Sequence, residues 1–599
     1  MIYHCEDHTC NYWDEGEKLP ERCPQCGRKL LRANEADMTG DDWTALGNTL
    51  WDAEASDKKR MVDCFRKAAY LGSAWGVCNL GICMEQGNGV EADPVQAFWL
   101  YQQAVEMGSL NAVCCLGVCY QYGIGTAPDA KQAAELYCKA AEYGSPRGQM
   151  LLARAFHDGI GVEADAAEAV HWVRAAAYQR YGEGMYRLGV CYEYGDGVEQ
   201  NWEHAVHWFR EAAESGVSVA MTDLGYCYEK GCGVEQSWEQ AFSWYRRGAE
   251  CGDLRSMHNL GYCYEKGRGV EQSWEQAFSW YRRGAECGYP VSMSNLGLCY
   301  KRGYGVDQNW QEAIKWYEQG AQCGDLQCMH NLACCYERGE GVEQNEERAL
   351  YWYRRGAEAG SDYCMYCLGW NYSNGEGVEQ NMTEAIRWYT AAAEGGNADA
   401  MHDLGWLYDH GEGVEQDMKK AICWYERAAE QNHPAAMNSL GECYAMGRGV
   451  PRDLETAMEW YRRAAELGEA MADYNMGWHL EQAGKLSEAY AHYRKAAEGN
   501  DDSAWWALGR FYENGVVVAQ DGKEARRCYE TGEKLGSVKC KMRLARCKLL
   551  GIGDRREKKA GLDLCRQALE LAKESSEKED YGYEAEMNLL RRTIAENES

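Results

Sequence analysis

Apolar and small residues return along this chain at a fixed interval of 36, not at the short periods of one isolated helix or strand. A leucine followed by glycine, or a close variant, marks each return from Leu46 and Leu80 through Leu260, Leu296 and Leu440. Met476, Leu508 and Leu544 continue the series. From Leu80 to Met476 the interval never slips; the step to Leu508 is 32, with a loop trimmed out around Gly484. Units of this size cannot bury their own apolar faces and must stack on their neighbours, so the period decides architecture before local propensity does. About fifteen units are expected.

Each unit predicts two helices. In the one begun by Leu260, a helix A over Ser256–Lys266 places Leu260, Gly261 and Tyr264 on one face. A helix B over Trp274–Cys287 carries Ala277, Trp280, Tyr281 and Ala285 as an apolar stripe. Gly267-Arg268-Gly269-Val270 breaks the first helix, its glycines permitting positive φ. Ser273 reads as the second helix's N-cap, with Gln276 completing a capping box, and Gly288 ends that helix. The preceding unit, Leu224 to Gly252, is identical over the same stretch except that Cys232 stands where Arg268 does. The fold expected is all-α: a right-handed α/α superhelical solenoid over 43–573, with a polar capping helix over 574–599.

Leu-Gly-x-x-Tyr, then Gly-x-Gly-Val, then Ala-x-x-Trp-Tyr-x-x-Ala/Gly-Ala-Glu resembles the Sel-1-like repeat, a longer cousin of the tetratricopeptide repeat. The resemblance implies adaptors that bring proteins together in bacterial signalling, host interaction and protein quality control. The shortened unit at Met476 looks more like a plain tetratricopeptide repeat.

Composition narrows the partners. The chain has 599 residues, a net charge of −31 and an isoelectric point near 4.9. That balance argues against nucleic acid and anionic membranes, both of which recruit lysine and arginine. It suits a monomeric protein of the cytosol. MIYHCEDHTC does not read as a leader, and no run of about 18 apolar residues exists to span a membrane.

Nine of the 30 cysteines form a column three residues after the repeat leucine, among them Cys83, Cys227, Cys263, Cys299 and Cys443. They read as small buried hydrophobes in a reduced protein. Cys364-Met365-Tyr366-Cys367 falls inside a helix A and has no second pair beside it.

The first 34 residues differ. Cys23-Pro24-Gln25-Cys26-Gly27 has the spacing of a zinc knuckle, and Cys5 with Cys10 supplies a second pair. His4 and His8 are alternative ligands for that second pair. Four thiolates suit tetrahedral structural zinc, which so short a segment needs in order to fold. The segment 1–34 resembles a zinc ribbon.

Alignment with the tetratricopeptide helix A places groove positions two before the repeat leucine and two, five and six after it. Six after it stand Lys230, Lys266, Arg302 and Arg338. Two after stand Tyr226, Tyr262, Trp370 and Trp406, and two before stand His258 and His330. Asn259, Asn295 and Asn331 directly precede the leucine. By the same resemblance, this set implies a groove that grips a peptide backbone and an acidic segment. Val-Glu-Gln loops add a column from Glu163 to Glu415, expected as a solvated acidic ridge.

An enzyme is not expected. Some cysteine-rich relatives are associated with β-lactamase activity, but Ser56-x-x-Lys59 and Ser575-x-x-Lys578 have no Lys-Thr-Gly partner here. Cys251 and Cys287 face Met257 and Met293 where secreted relatives pair cysteines. The expected function is a non-catalytic scaffold binding a protein or peptide segment. An effector acting on another cell's proteins is the alternative, and a β-lactamase-like enzyme the remote one.

Overall fold

The computed structural model describes residues 2–5, 13–15, 30–33, 38–51, 55–578 and 584–598. It holds thirty-one helices among the described residues and divides into two compact units, Met1–Asn309 and Trp310–Ser599. In each unit successive helices pack antiparallel to their sequence neighbours and the A helices of adjacent repeats also touch, as a helical repeat solenoid requires.

The Leu260 repeat shows why these residues fold this way. Helix A runs Leu254–Lys266, and Asp253 caps it by accepting the Ser256 N–H. It stops at Gly267, which takes the left-handed conformation at φ +66°. The Gln272 side chain then donates to the Glu265 carbonyl at 2.7 Å, filling one of the acceptors left open at the helix end. That bond explains the recurring glutamine of Val-Glu-Gln, while Glu271 beside it stays exposed. Helix B runs Trp274–Glu286, and Ser273 accepts the Gln276 N–H as expected. The reciprocal half of the capping box is not made: the Ser273 hydroxyl donates instead to Glu275 at 3.0 Å.

Two kinds of contact lock the pair. Tyr281 of helix B is fully buried against Gly261, where any side chain would run into its ring. Its hydroxyl donates to Glu265 at 2.8 Å. Leu260, Met257, Cys263, Ala277 and Ala285 complete the buried layer. The cysteine column is core as expected, with Cys263 and Cys299 both buried and their thiols pushed up to about 12 by desolvation. Cys191 is half-buried.

The shortened repeat keeps the same bond. Tyr493 donates to Glu481 at 2.7 Å across twelve residues of sequence, where Tyr281 and Glu265 are sixteen apart. The trimmed loop therefore leaves the packing of the hairpin intact.

The cap expected over 574–599 begins later than its polarity suggests. Helix B of the last hairpin runs on through Lys578, and a separate helix, Glu584–Glu598, packs on that hairpin. Arg543 bonds Glu586 at 2.7 Å and Glu513 at 3.3 Å, and Arg546 also pairs with Glu513, all largely buried. A buried cluster of this kind holds only because each charge is paired.

Ahead of the repeats, Ile2–Cys5, Trp13–Glu15 and Leu30–Ala33 form a three-stranded antiparallel sheet with the first strand central. Cys5 ends that strand opposite Leu30. His8, Cys10, Cys23 and Cys26 lie outside the described residues. No described helix is long and apolar enough to cross a membrane.

Glycine positions separate two costs. Gly269 has φ +70°, and a Cβ there would collide with the Trp238 carbonyl of the preceding repeat. Gly288 has φ +89° with open space around it. Gly288→Ala should therefore cost about 1 kcal/mol, from backbone strain alone, and Gly269→Ala about 3 kcal/mol or more. Urea denaturation of the two variants checks the order.

Candidate peptide-binding face

Side chains on neighbouring A helices bridge each other in a fixed register. Tyr186, two before its leucine, donates to Asp223, one before the next leucine, at 3.0 Å. Tyr366 and Asp403 repeat the bond at 3.0 Å, and Asn475 donates to Asn438 at 3.0 Å in the same places. A side chain five before the following leucine closes the ladder: Arg255 binds Asp223 at 2.6 Å. Arg147 likewise donates to the Cys115 sulfur at 3.6 Å. There the hydrogen bond from the Cys78 thiol first, and Arg147 after it, outweigh burial and bring the Cys115 thiol below its ordinary value. These positions share one face of the A helices within each unit.

The predicted residues separate on that face. In the first unit, Tyr226 is 42% exposed, with the Lys230 ammonium 5.7 Å from its ring centre. Tyr262 is half-buried, and Arg302 is exposed. Lys230 and Lys266 do not stand as bare cations: they pair with Glu229 at 2.9 Å and Glu265 at 2.8 Å. His258 is not a groove donor. Its ring packs 5.6 Å from Tyr281 and 5.9 Å from Tyr289, and its Nδ1 is buried without a hydrogen-bond partner. Asn259 and Asn295 are half-buried.

In the second unit, His330 packs between Tyr353 and Tyr363 and lies 3.5 Å from the Cys334 sulfur. Asn331 accepts from Gln327 at 3.2 Å, and Arg338 is exposed beside Glu337. Trp370 is 46% and Trp406 38% exposed, the latter stacked on His410 at 4.3 Å. Cys364 and Cys367 are held protonated by burial, at about 11 and 12, which suits packing and not thiolate chemistry.

Two features escaped the sequence reading. The glutamate five after the leucine accepts from a helix B tyrosine: Tyr245 to Glu229 at 2.9 Å and Tyr353 to Glu337 at 3.2 Å. Its recurrence directly before the lysine column was the available signal. The second is a cavity of about 420 Å³ in the first unit, lined by Tyr186, Glu193, Tyr194, Asp223, Tyr226 and Arg255, with Phe209. Burial, then the charge of Asp223, pushes the Glu193 carboxyl up.

Thirteen consecutive stretches, from 76–109 to 504–537, match the Sel1 repeat, and the shortened unit at 470–501 is one of them. The chain belongs to the Sel1 repeat family. It is similar to a solved protective antigen of uropathogenic Escherichia coli with an SLR fold, at 32% identity and a TM-score of 0.51. That match covers 75% of this chain and 97% of the antigen. A Sel1 repeat protein of Oxalobacter formigenes is 30% identical over 41% of this chain and 96% of its own, with a TM-score of 0.37. An immunity protein of Pseudomonas aeruginosa is 20% identical over 36% of this chain and 82% of its own, with a TM-score of 0.29. No curated protein matches.

Burial lowers His258 to about 4, below the ordinary histidine value near 6.5. Between those values the unfolded chain binds more protons than the folded one, so this residue's contribution to stability falls as pH drops through the window. His258→Phe should remove up to about 3 kcal/mol of that acid loss. Denaturation midpoints of wild type and variant, compared from pH 7 to pH 4, test it.

Proposed function

We propose that this Sel1 repeat protein is a non-catalytic scaffold that binds a protein segment along the exposed face of its A helices. The observation that carries the reading is the row of large apolar side chains left open two and six after the repeat leucine. Tyr194 and Tyr226 stand there in the first unit, and Trp370, Trp406 and Trp478 in the second. Trp370, Trp406 and Trp478 hold large rings in water two after the repeat leucine, or Met476 in its place, in three repeats of the second unit. Rings recurring at one repeat position mark a docking surface and not scattered surface residues. Helical periodicity presents them at regular steps, which suits an extended or helical ligand read in register.

The finer form, an acidic segment gripped by Lys230, Lys266, Arg302 and Arg338, has less support. The internal pairs to Glu229 and Glu265 offset two of those four charges. The effector-type alternative draws only on the likeness to a protective antigen.

The face is tested by recovering a cross-linked partner from source cells. Trp370→Ser with Trp406→Ser should lower its affinity about tenfold to a hundredfold, as loss of buried aromatic anchors does. Glu163→Lys on the loop ridge should not. Unchanged recovery by a folded tryptophan variant would sink the reading.

For the first 34 residues we propose structural zinc on Cys5, Cys10, Cys23 and Cys26. Purified protein should carry about one zinc per chain by atomic emission, with none in the variant Cys23→Ser plus Cys26→Ser. Zinc well below that ratio in wild type speaks against the site.

A further inference from the structure

We infer that the cavity between the helices Gly182–Tyr194 and Ser218–Lys230 is a subsite for one basic side chain, arginine or lysine, of the bound segment. The inference rests on the reading of the A-helix face as a protein-binding surface, and names the chemistry it selects at one repeat.

The Leu188 repeat differs from its neighbours at this cavity. In the two following ones the glutamate five after the leucine has two partners of its own. Glu229 accepts from Tyr245 of helix B and pairs with Lys230; Glu265 accepts from Tyr281 and pairs with Lys266. In the Leu188 repeat both partners are replaced. Phe209 stands where those tyrosines do and has no hydroxyl, and Tyr194 stands where the lysines do. Glu193 forms no ion pair among the described residues; of the charges near it, Asp223 repels it, and Arg255, which is already paired with Asp223, attracts it. It lines a cavity that also holds Phe209 and Tyr194, the two replacements.

The rest of the wall favours a cation. Asp223 is already matched by Arg255 at 2.6 Å and by the Tyr186 hydroxyl at 3.0 Å. The lining carboxylates thus exceed the lining cations by one, Glu193 and Asp223 against Arg255. Tyr194 is 73% exposed and Tyr226 42% exposed. Lys230 already lies over the Tyr226 ring, so Tyr194 is the aromatic side chain left to meet a guanidinium or ammonium in the same way. An apolar side chain would desolvate Glu193 without pairing it, and an acidic one would add repulsion. Arginine combines a fork for the carboxylate with a plane for the ring.

Selection of displayed random peptides on the full chain tests this. Wild type should enrich peptides with arginine or lysine at one fixed position. Glu193→Gln should weaken a selected peptide about tenfold. So should Tyr194→Lys with Phe209→Tyr, which rebuilds the neighbours' internal partners; circular dichroism confirms that both variants fold. Enrichment of acidic or purely apolar peptides, or affinity unchanged in both variants, overturns the subsite and leaves the binding face standing. Failure to select any peptide overturns the subsite and the face together.

Discussion

The contact between a helix B tyrosine and the glycine of Leu-Gly governs the repeat. Without a side chain at Gly261, the Tyr281 ring lies directly over helix A, and the two helices close to a distance no larger residue permits. The buried ring carries a hydroxyl that needs a partner, and Glu265 on the last turn of helix A supplies it. One interaction thus sets helix spacing in the core and places a carboxylate at the edge of the exposed face. The shortened repeat confirms its rank: four residues of loop are gone, yet Tyr493 still reaches Glu481.

That coupling gives the exposed face its electrostatics. Each repeat that keeps the tyrosine and a following lysine presents a satisfied carboxylate, as at Glu229 and Glu265. Where Phe209 and Tyr194 replace them, Glu193 meets a cavity instead. Near-identical repeats therefore need not bind identically. Substitution at two positions changes local chemistry while the stack stays the same, because stability in such arrays is a sum of unit and neighbour terms.

Much of the hairpin could be read directly. The interval of 36, the breaking glycines, Ser273 as N-cap and the buried cysteine column all follow from short-range patterns. The candidate face was legible only in outline. His258 and His330 occupy the predicted positions but pack among tyrosines, and the lysine column is paired with glutamates one residue earlier. The start of the cap expected over 574–599 was not legible, because polarity does not reveal that one helix runs on through Lys578 and the helix packed on the last hairpin begins at Glu584.

By itself the sequence determined the repeat, its two helices and its core, since periodicity and glycine placement are properties of neighbours along the chain. Tertiary structure alone decided which polar groups are spent inside the protein. The bridges of Tyr186 to Asp223 and of Arg255 back to Asp223 join residues about thirty or more positions apart. No local pattern encodes such pairing, and the charge left over for a partner depends on it.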